Sequence, residues 1–223
     1  MSCEVVLNIM RKLNFFDQLI SELDASLRTS YATAPTTERP NPSESIVEKE
    51  TLSAEERKFS ASLMRVNHAG EVSAQGLYRG QALTAKREDI REQMERSAME
   101  ENDHLNWCES RIKQLDSHKS YFSPLWYWGA FSIGALAGKV GDKWSLGFVK
   151  ETEDQVVKHL EEHIVKLPAK DLPSLFILRQ MKEDEQHHAD IAVSAGAVKL
   201  PWPIRRIIMP IMSKVMTKTA SHI

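Results

Sequence analysis

The 223-residue chain is poor in cysteine: it has only Cys3 and Cys108, far apart and forming no C-x-x-C pair. That excludes a disulfide framework and a zinc ribbon, and it points to a reducing compartment. Net charge is also scarce. Lys and Arg number 29 against 31 Asp and Glu, a formal −2 at pH 7, which gives no electrostatic case for nucleic acid. No Gly-x-Gly-x-x-Gly segment follows a strand, so no dinucleotide-binding domain is expected. Strand-type alternation is missing throughout, which leaves an all-α fold. Arg11 and Lys12 interrupt the first apolar stretch, so a secretory signal is not expected. Glu4, Asp17, Glu22 and Asp24 argue against an amphipathic presequence, and a bacterial cytoplasm is the simplest compartment. Two absences are local. Beyond Asp190 there is no acidic residue, while Lys199, Arg205, Arg206, Lys214 and Lys218 remain. Residues 120–138 carry no charge at all.

What is present is helical periodicity. Residues 1–28 hold an amphipathic helix, with Val5, Ile9, Leu13, Phe16, Leu19, Ile20, Leu23 and Leu27 recurring at helical spacing over 4–28. Residues 29–52 carry Pro35, Pro40 and Pro42 and suggest a linker. Ser53 precedes Glu56 by three, a capping-box pattern that opens a helix running to about Ala85. Further helices are expected over 88–116, 142–167 and 171–195. The segment 124–138 is apolar and dotted with glycine, and a last segment covers 203–219. Residues 53–223 thus form one domain. It reads as two similar halves, with 30 residues separating Glu71 from Glu101 and 32 separating Glu153 from Glu185.

The sharpest signal is a carboxylate where an apolar residue belongs. In 142–167 the stripe Leu146, Val149, Val156, Leu160, Ile164 demands an apolar residue at 153 and finds Glu153. In 88–116 the stripe Met94, Ala98, Leu105, Cys108, Ile112 is completed by Glu101. In 171–195, Leu175, Leu178, Met181 and Ala192 leave a gap that Glu185 fills. An ionised carboxylate in a dry core costs several kcal/mol unless a cation offsets it. His104 follows Glu101 by three and His188 follows Glu185 by three, so each pair shares a helix face. Glu71, on a less clean stripe with Met64, Asn67, Ala74 and Tyr78, supplies the fourth carboxylate. One Glu from each of two helices and Glu-x-x-His from each of two others is the ligand pattern of carboxylate-bridged di-metal bundles. These donors suit iron or manganese better than copper or structural zinc.

A ligating histidine needs an outer acceptor to fix its tautomer. Asp184 is expected to reach His104, and Glu100 to reach His188. His187, one step off the His188 face, is expected in solvent. His159 and His163 are open between a supporting and a substrate-side role, and His68 between a structural role and one near Glu71.

With these residues in view, the chain resembles the bacterial demethoxyubiquinone hydroxylase family. The matching stretches are 63–71 (Leu-Met-Arg-Val-Asn-His-Ala-Gly-Glu), 100–105 (Glu-Glu-Asn-Asp-His-Leu), 144–153 and 183–188 (Glu-Asp-Glu-Gln-His-His). The apolar block 124–128 and the end of the chain also match. The resemblance covers about 53–223, and residues 1–52 are assigned no chemistry. It implies a ferritin-like four-helix bundle with additional N-terminal, apolar and C-terminal helices. It implies a non-haem di-iron monooxygenase, with two iron ions on Glu71, Glu101, His104, Glu153, Glu185 and His188 and O2 as co-substrate. The reaction implied is hydroxylation of a demethoxyubiquinol ring in ubiquinone biosynthesis, with reducing equivalents from NAD(P)H by a route the sequence does not display.

Such a substrate carries an isoprenoid tail, so contact with a membrane surface is expected, on the cytoplasmic face of the inner membrane. Residues 120–138 cluster Tyr121, Phe122, Trp126, Tyr127, Trp128 and Phe131, which suits an interface, although a buried bundle helix fits equally. Residues 200–219 mix apolar side chains with cations, which suits an anionic lipid surface or core packing. A homo-oligomer or a ubiquinone-biosynthesis complex is a possible setting. The main alternative is a ferritin-like iron-storage or peroxide-reducing protein; a membrane-bound scaffold with a vestigial site is a third.

Overall fold

A computed structural model describes residues 15–35, 39–46 and 51–223. The described residues form helices and no strand: α1 (Phe15–Tyr31), α2 (Ala54–Thr84), α3 (Glu88–Gln114), α4 (Ser123–Val140), α5 (Asp142–Lys166) and α6 (Leu172–Ser194). A π-helical turn, Ile204–Ile208, then leads into α7 (Met209–Ala220). The expected all-α class stands, and each expected helix is found with its ends shifted by a few residues. The part of the expected N-terminal helix before residue 15 lies outside the described residues, and α1 continues past the expected end at 28.

Local chemistry sets the boundaries. Ser53 Oγ accepts from the Glu56 amide at 3.2 Å, and the Glu56 carboxylate accepts from the Ser53 amide at 2.8 Å, closing the capping box of α2. Asp171 accepts from the Ser174 amide to start α6 and pairs with buried Arg111 at 2.7 Å. Asp142 accepts from the amides of Lys86 and Arg87, at 2.9 and 3.0 Å, and so satisfies donors at the start of α3. The chain reverses between α4 and α5 at Gly141, whose φ of 149° favours glycine.

Helices α2, α3, α5 and α6 make the bundle. Its interior has two apolar plugs. One joins Met64, Trp107, Cys108, Ile112, Leu160, Ile177, Leu178 and Met181. The other joins Tyr78, Ile90, Met94, Leu146, Val149 and Ala192. In all four helices the expected acidic position falls between the residues of one plug and those of the other. The bundle thus encloses a polar chamber with an apolar seal at each end.

Helix α4 lies outside the bundle, along α2. The two backbones approach so closely that a Cβ at Gly76 would strike the Tyr127 carbonyl, and one at Gly80 the Phe131 carbonyl. A Cβ at Gly134 would strike the Leu77 carbonyl from the other side. This close approach explains Gly134 in the apolar block and its partners Gly76 and Gly80 in α2. Trp126 of α4 and Met216 of α7 both pack against Val66, Ala69 and Ala220, so α7 lies against α2.

Helix α1 flanks α4 with an unexpected orientation. Its polar side faces the protein: Ser26 and Ser30 are buried, and Glu22 pairs with Arg79 at 2.8 Å. Its apolar stripe of Phe16, Ile20, Leu23, Leu27 and Tyr31 faces outward.

Overpacking a tight contact typically costs 1–3 kcal/mol and a backbone clash lies at the upper end, so Gly134→Leu should cost about 3 kcal/mol. The melting temperature should fall by roughly 6–12 °C for a chain of this size. Gly129, with nothing near its Cβ position, is the control. Gly129→Ala should leave the melt unchanged or raise it slightly.

Candidate metal centre

Ligand atoms of Glu71, Glu101, His104 and Glu185 all lie within 4.8 Å of one another. His188 joins them through Nδ1, 3.4 Å from Glu101 Oε1 and 3.3 Å from Glu185 Oε2. Glu153 stands on the far side of the chamber, where it interacts electrostatically with Glu185, Glu101 and His188. All six side chains expected from the sequence are therefore buried around one chamber, each with at most 4% of its surface exposed.

The geometry divides them into two positions. Glu101 turns Oε2 to His104 at 2.8 Å and Oε1 to His188. Glu185 likewise turns Oε1 to His104 at 3.1 Å and Oε2 to His188. These two carboxylates face both imidazoles, one oxygen each. Glu71 lies on the His104 side, 3.6 Å from Nδ1. Glu153 lies on the other, where Tyr78 donates its hydroxyl to Glu153 Oε1 at 2.6 Å.

Both histidines point Nδ1 inward and Nε2 outward. His104 Nε2 meets Asp184 at 2.9 Å and His188 Nε2 meets Glu100 at 2.8 Å. The two bonds cross between α3 and α6, in the pairing expected from the sequence. His187 is exposed, also as expected.

Electrostatics show a site under compensation. Burial pushes the Glu71 carboxyl well above its ordinary range, and the Glu101 and Glu185 charges push the same way against His104. Glu153 is raised well above its range by burial and by the Glu185 and Glu101 charges. Burial opposes charge on His104, but the Glu101 charge and bonds to Asp184, Glu101 and Glu185 outweigh it and raise the imidazole. His188 is raised in the same way by Glu100, Glu101 and Glu185. Glu101 is held below its range because the two imidazoles outweigh its burial. Protons therefore do the balancing when no other cation is present.

A metal fits these residues. Buried Glu101 Oε1 and Glu185 Oε1 have no well-aligned hydrogen-bond donor, although the imidazole Nδ1 atoms of His188 and His104 stand 3.4 and 3.1 Å away. Unsatisfied anionic oxygens facing a shared space are costly unless a cation takes them up. The oxygen and imidazole donors suit hard and borderline divalent ions.

Periodicity did not give Tyr78 a role, although it placed it on the Glu71 face. Buried Trp107, 5.3 Å from the His104 ring, was also missed, as was Arg39, which bonds Asp184 at 2.7 Å. No helical pattern marks Arg39, because it lies outside any helix. His163 bonds Asn67 at 2.8 Å and His159 bonds Ser213 at 2.8 Å, so both act between helices. His68 is buried, and burial pushes it down to about 3.

A group whose pKa is raised by folding stabilises below its unfolded value and loses that contribution as pH climbs. His104 and His188 act this way above their ordinary value of 6.5, and Glu71 and Glu153 above 4.5. His68 and His163, depressed by burial, destabilise only below 6.5. Metal-free protein should therefore melt at progressively lower temperature from pH 6.5 towards 9. Metal-loaded protein should show the opposite slope, since ions and protons compete for the same atoms. Calorimetry with and without chelator reads both slopes, and a metal-free melt that climbs with pH would contradict this electrostatic picture.

Comparison with known proteins finds relatives along nearly the whole chain. The family described as ubiquinone biosynthesis protein COQ7 matches residues 58–220. A 3-demethoxyubiquinol 3-hydroxylase of Nitrosococcus oceani is 55% identical over 210 residues, covering 94% of this chain and 97% of that protein. Proteins of the same name from Acinetobacter baumannii and Legionella pneumophila are 50% and 51% identical, each covering 96% of this chain and 100% of the relative. A helical bundle closed around buried Glu and His, matched along nearly its whole length by these relatives, belongs to the ubiquinone biosynthesis protein COQ7 family.

Proposed function

We propose that this chain is a 3-demethoxyubiquinol 3-hydroxylase: an O2-dependent monooxygenase with two iron ions held by Glu71, Glu101, His104, Glu153, Glu185 and His188. The observation that carries this reading is the pair Glu101 and Glu185, each presenting one oxygen towards each histidine. A bound di-iron pair supplies reductive activation of dioxygen for hydroxylation of an electron-rich ring. The chain supplies the rest. Glu101 and Glu185 would help hold both ions, and Glu71 and Glu153 would add further carboxylate ligands. Asp184 and Glu100 hold the imidazoles with Nδ1 turned inward. Tyr78 holds the Glu153 carboxylate in one orientation through its hydroxyl. The apolar plugs above and below keep bulk water out of the chamber. Reducing equivalents would come from NAD(P)H.

The surface supports access to a lipid-borne substrate. Helix α4 and the turn before it expose Tyr121, Leu125, Leu136 and Val140. The C-terminal segment exposes Trp202, Ile207, Ile208, Ile211, Met212 and Val215 beside Arg205, Arg206, Lys214 and Lys218. No helix among the described residues is long and apolar enough to cross a membrane. A cationic helix with an exposed apolar face suits the surface of an anionic bilayer. We infer that residues 53–223 are the catalytic unit, resting on the cytoplasmic face of the inner membrane through 120–138 and 200–219. An exposed apolar layer of this kind does not suit a soluble storage shell.

Ferrous-loaded protein, given O2, a reductant and a short-tailed demethoxyubiquinol, should release the hydroxylated quinol. Glu185→Ala should lower turnover by at least about 100-fold while retaining helical circular dichroism. Wild-type protein that binds iron but leaves the quinol unchanged would reject the assignment. In liposome flotation, full-length protein should rise with anionic vesicles, and the double variant Ile211→Glu, Val215→Glu should stay at the bottom. Equal flotation of the two would remove α7 from the membrane contact.

A further inference from the structure

The two imidazoles are supported unequally. On the His188 side the support is complete within the bundle: Glu100 Oε2 meets the imidazole, and Arg96, four residues earlier on the same helix, holds Glu100 Oε1 at 2.7 Å. On the His104 side the support comes from outside the bundle. Arg39, in the segment that precedes α2, places Nη1 2.7 Å from Asp184 Oδ2. That oxygen is the one that meets His104 Nε2 at 2.9 Å. Gln180 holds the other oxygen, Oδ1, at 3.0 Å.

Arg39 makes two further contacts in the same place. Its Nε lies 3.7 Å from Asp103 Oδ2, a carboxylate with 1% of its side chain exposed. Its guanidinium sits 5.1 Å over the Trp107 ring, and that ring packs against His104. A planar guanidinium with several donors is suited to fix a carboxylate and stack on an indole at once, which an ammonium cannot do. Neighbouring backbone is anchored too, since Asn106 donates to the Ala34 carbonyl at 2.6 Å.

Resting on the di-iron reading, we propose that Arg39 is a positioning residue for one of the two metal positions, the one served by His104 and Glu71. It acts by fixing Asp184, which fixes the His104 ring. Remove Arg39, and Asp184 Oδ2 loses the cation that fixes it against the imidazole, leaving only Gln180 on Oδ1. Outer partners of metal-bound histidine typically contribute about 10–100-fold to metal affinity. The loss should fall on one ion, because the His188 branch does not involve Arg39.

The test is ferrous titration of full-length protein, followed by Mössbauer spectroscopy of the loaded 57Fe sample. Wild-type protein should take two ions. Arg39→Ala should bind one of them at least about tenfold more weakly and alter one of two iron signals. Arg39→Lys should recover only part of the loss. Arg28→Ala, which removes an exposed arginine paired with Asp24 on α1, should change nothing. In an Asp184→Ala background, removing Arg39 should add no further loss, since both act through one bond. Two ions bound by Arg39→Ala with unchanged affinity and spectrum would overturn the inference. So would equal weakening of both ions with a lower melting temperature, which marks a structural strut. A wild-type protein that takes no ferrous ion fails the di-iron reading itself and is told apart by that control.

Discussion

Four carboxylates in the interior of a helical bundle are the constraint on which the rest of this structure depends. Charge in a low-dielectric interior needs a counter-charge within a few ångströms. Here the requirement is met without ions by raised imidazoles and by protons on Glu71 and Glu153. That is an expensive arrangement for a merely structural core, and apolar side chains would fill the space more stably. The same groups can give up their protons to divalent cations, so the chamber is poised for metal and metal uptake is linked to proton release. Apolar plugs at both ends keep the interaction strong by excluding water.

The outer layer follows a different logic. Glycines in α2 and α4 let two backbones meet at contact distance, so α4 is held chiefly by its face on α2. Its other face is left apolar and exposed, as are the outward faces of α1 and α7. Burying polar Ser26, Ser30 and Glu22 of α1 against the bundle while exposing Phe16, Ile20 and Leu27 reverses the usual direction of an amphipathic helix. Under the proposed function, such a surface suits contact with the lipid that carries the quinol.

Much of this was legible before the fold was seen. Helix positions follow from apolar period, and the capping box at Ser53 and Glu56 is a four-residue rule that needs no tertiary context. The metal-site candidates follow from the same period, because Glu153, Glu101 and Glu185 occupy stripe positions where water cannot reach. Even the crossed partners of the histidines were accessible, since Asp184 and Glu100 sit one residue before the two Glu-x-x-His motifs. All of these are properties of a single helix, repeated.

What the chain alone determined, then, is each helix and the face it presents, because 3.6-residue periodicity is local. What only the tertiary structure decided is which face meets which. It turned the stripe of α1 outward, although its periodicity looks the same as that of a core helix. It set Tyr78 on Glu153 rather than on a neighbouring turn. It brought Arg39, 145 residues away from Asp184 in sequence, onto the carboxylate that orients His104. Contacts between distant segments depend on how whole helices pack, and no spacing within one segment encodes them.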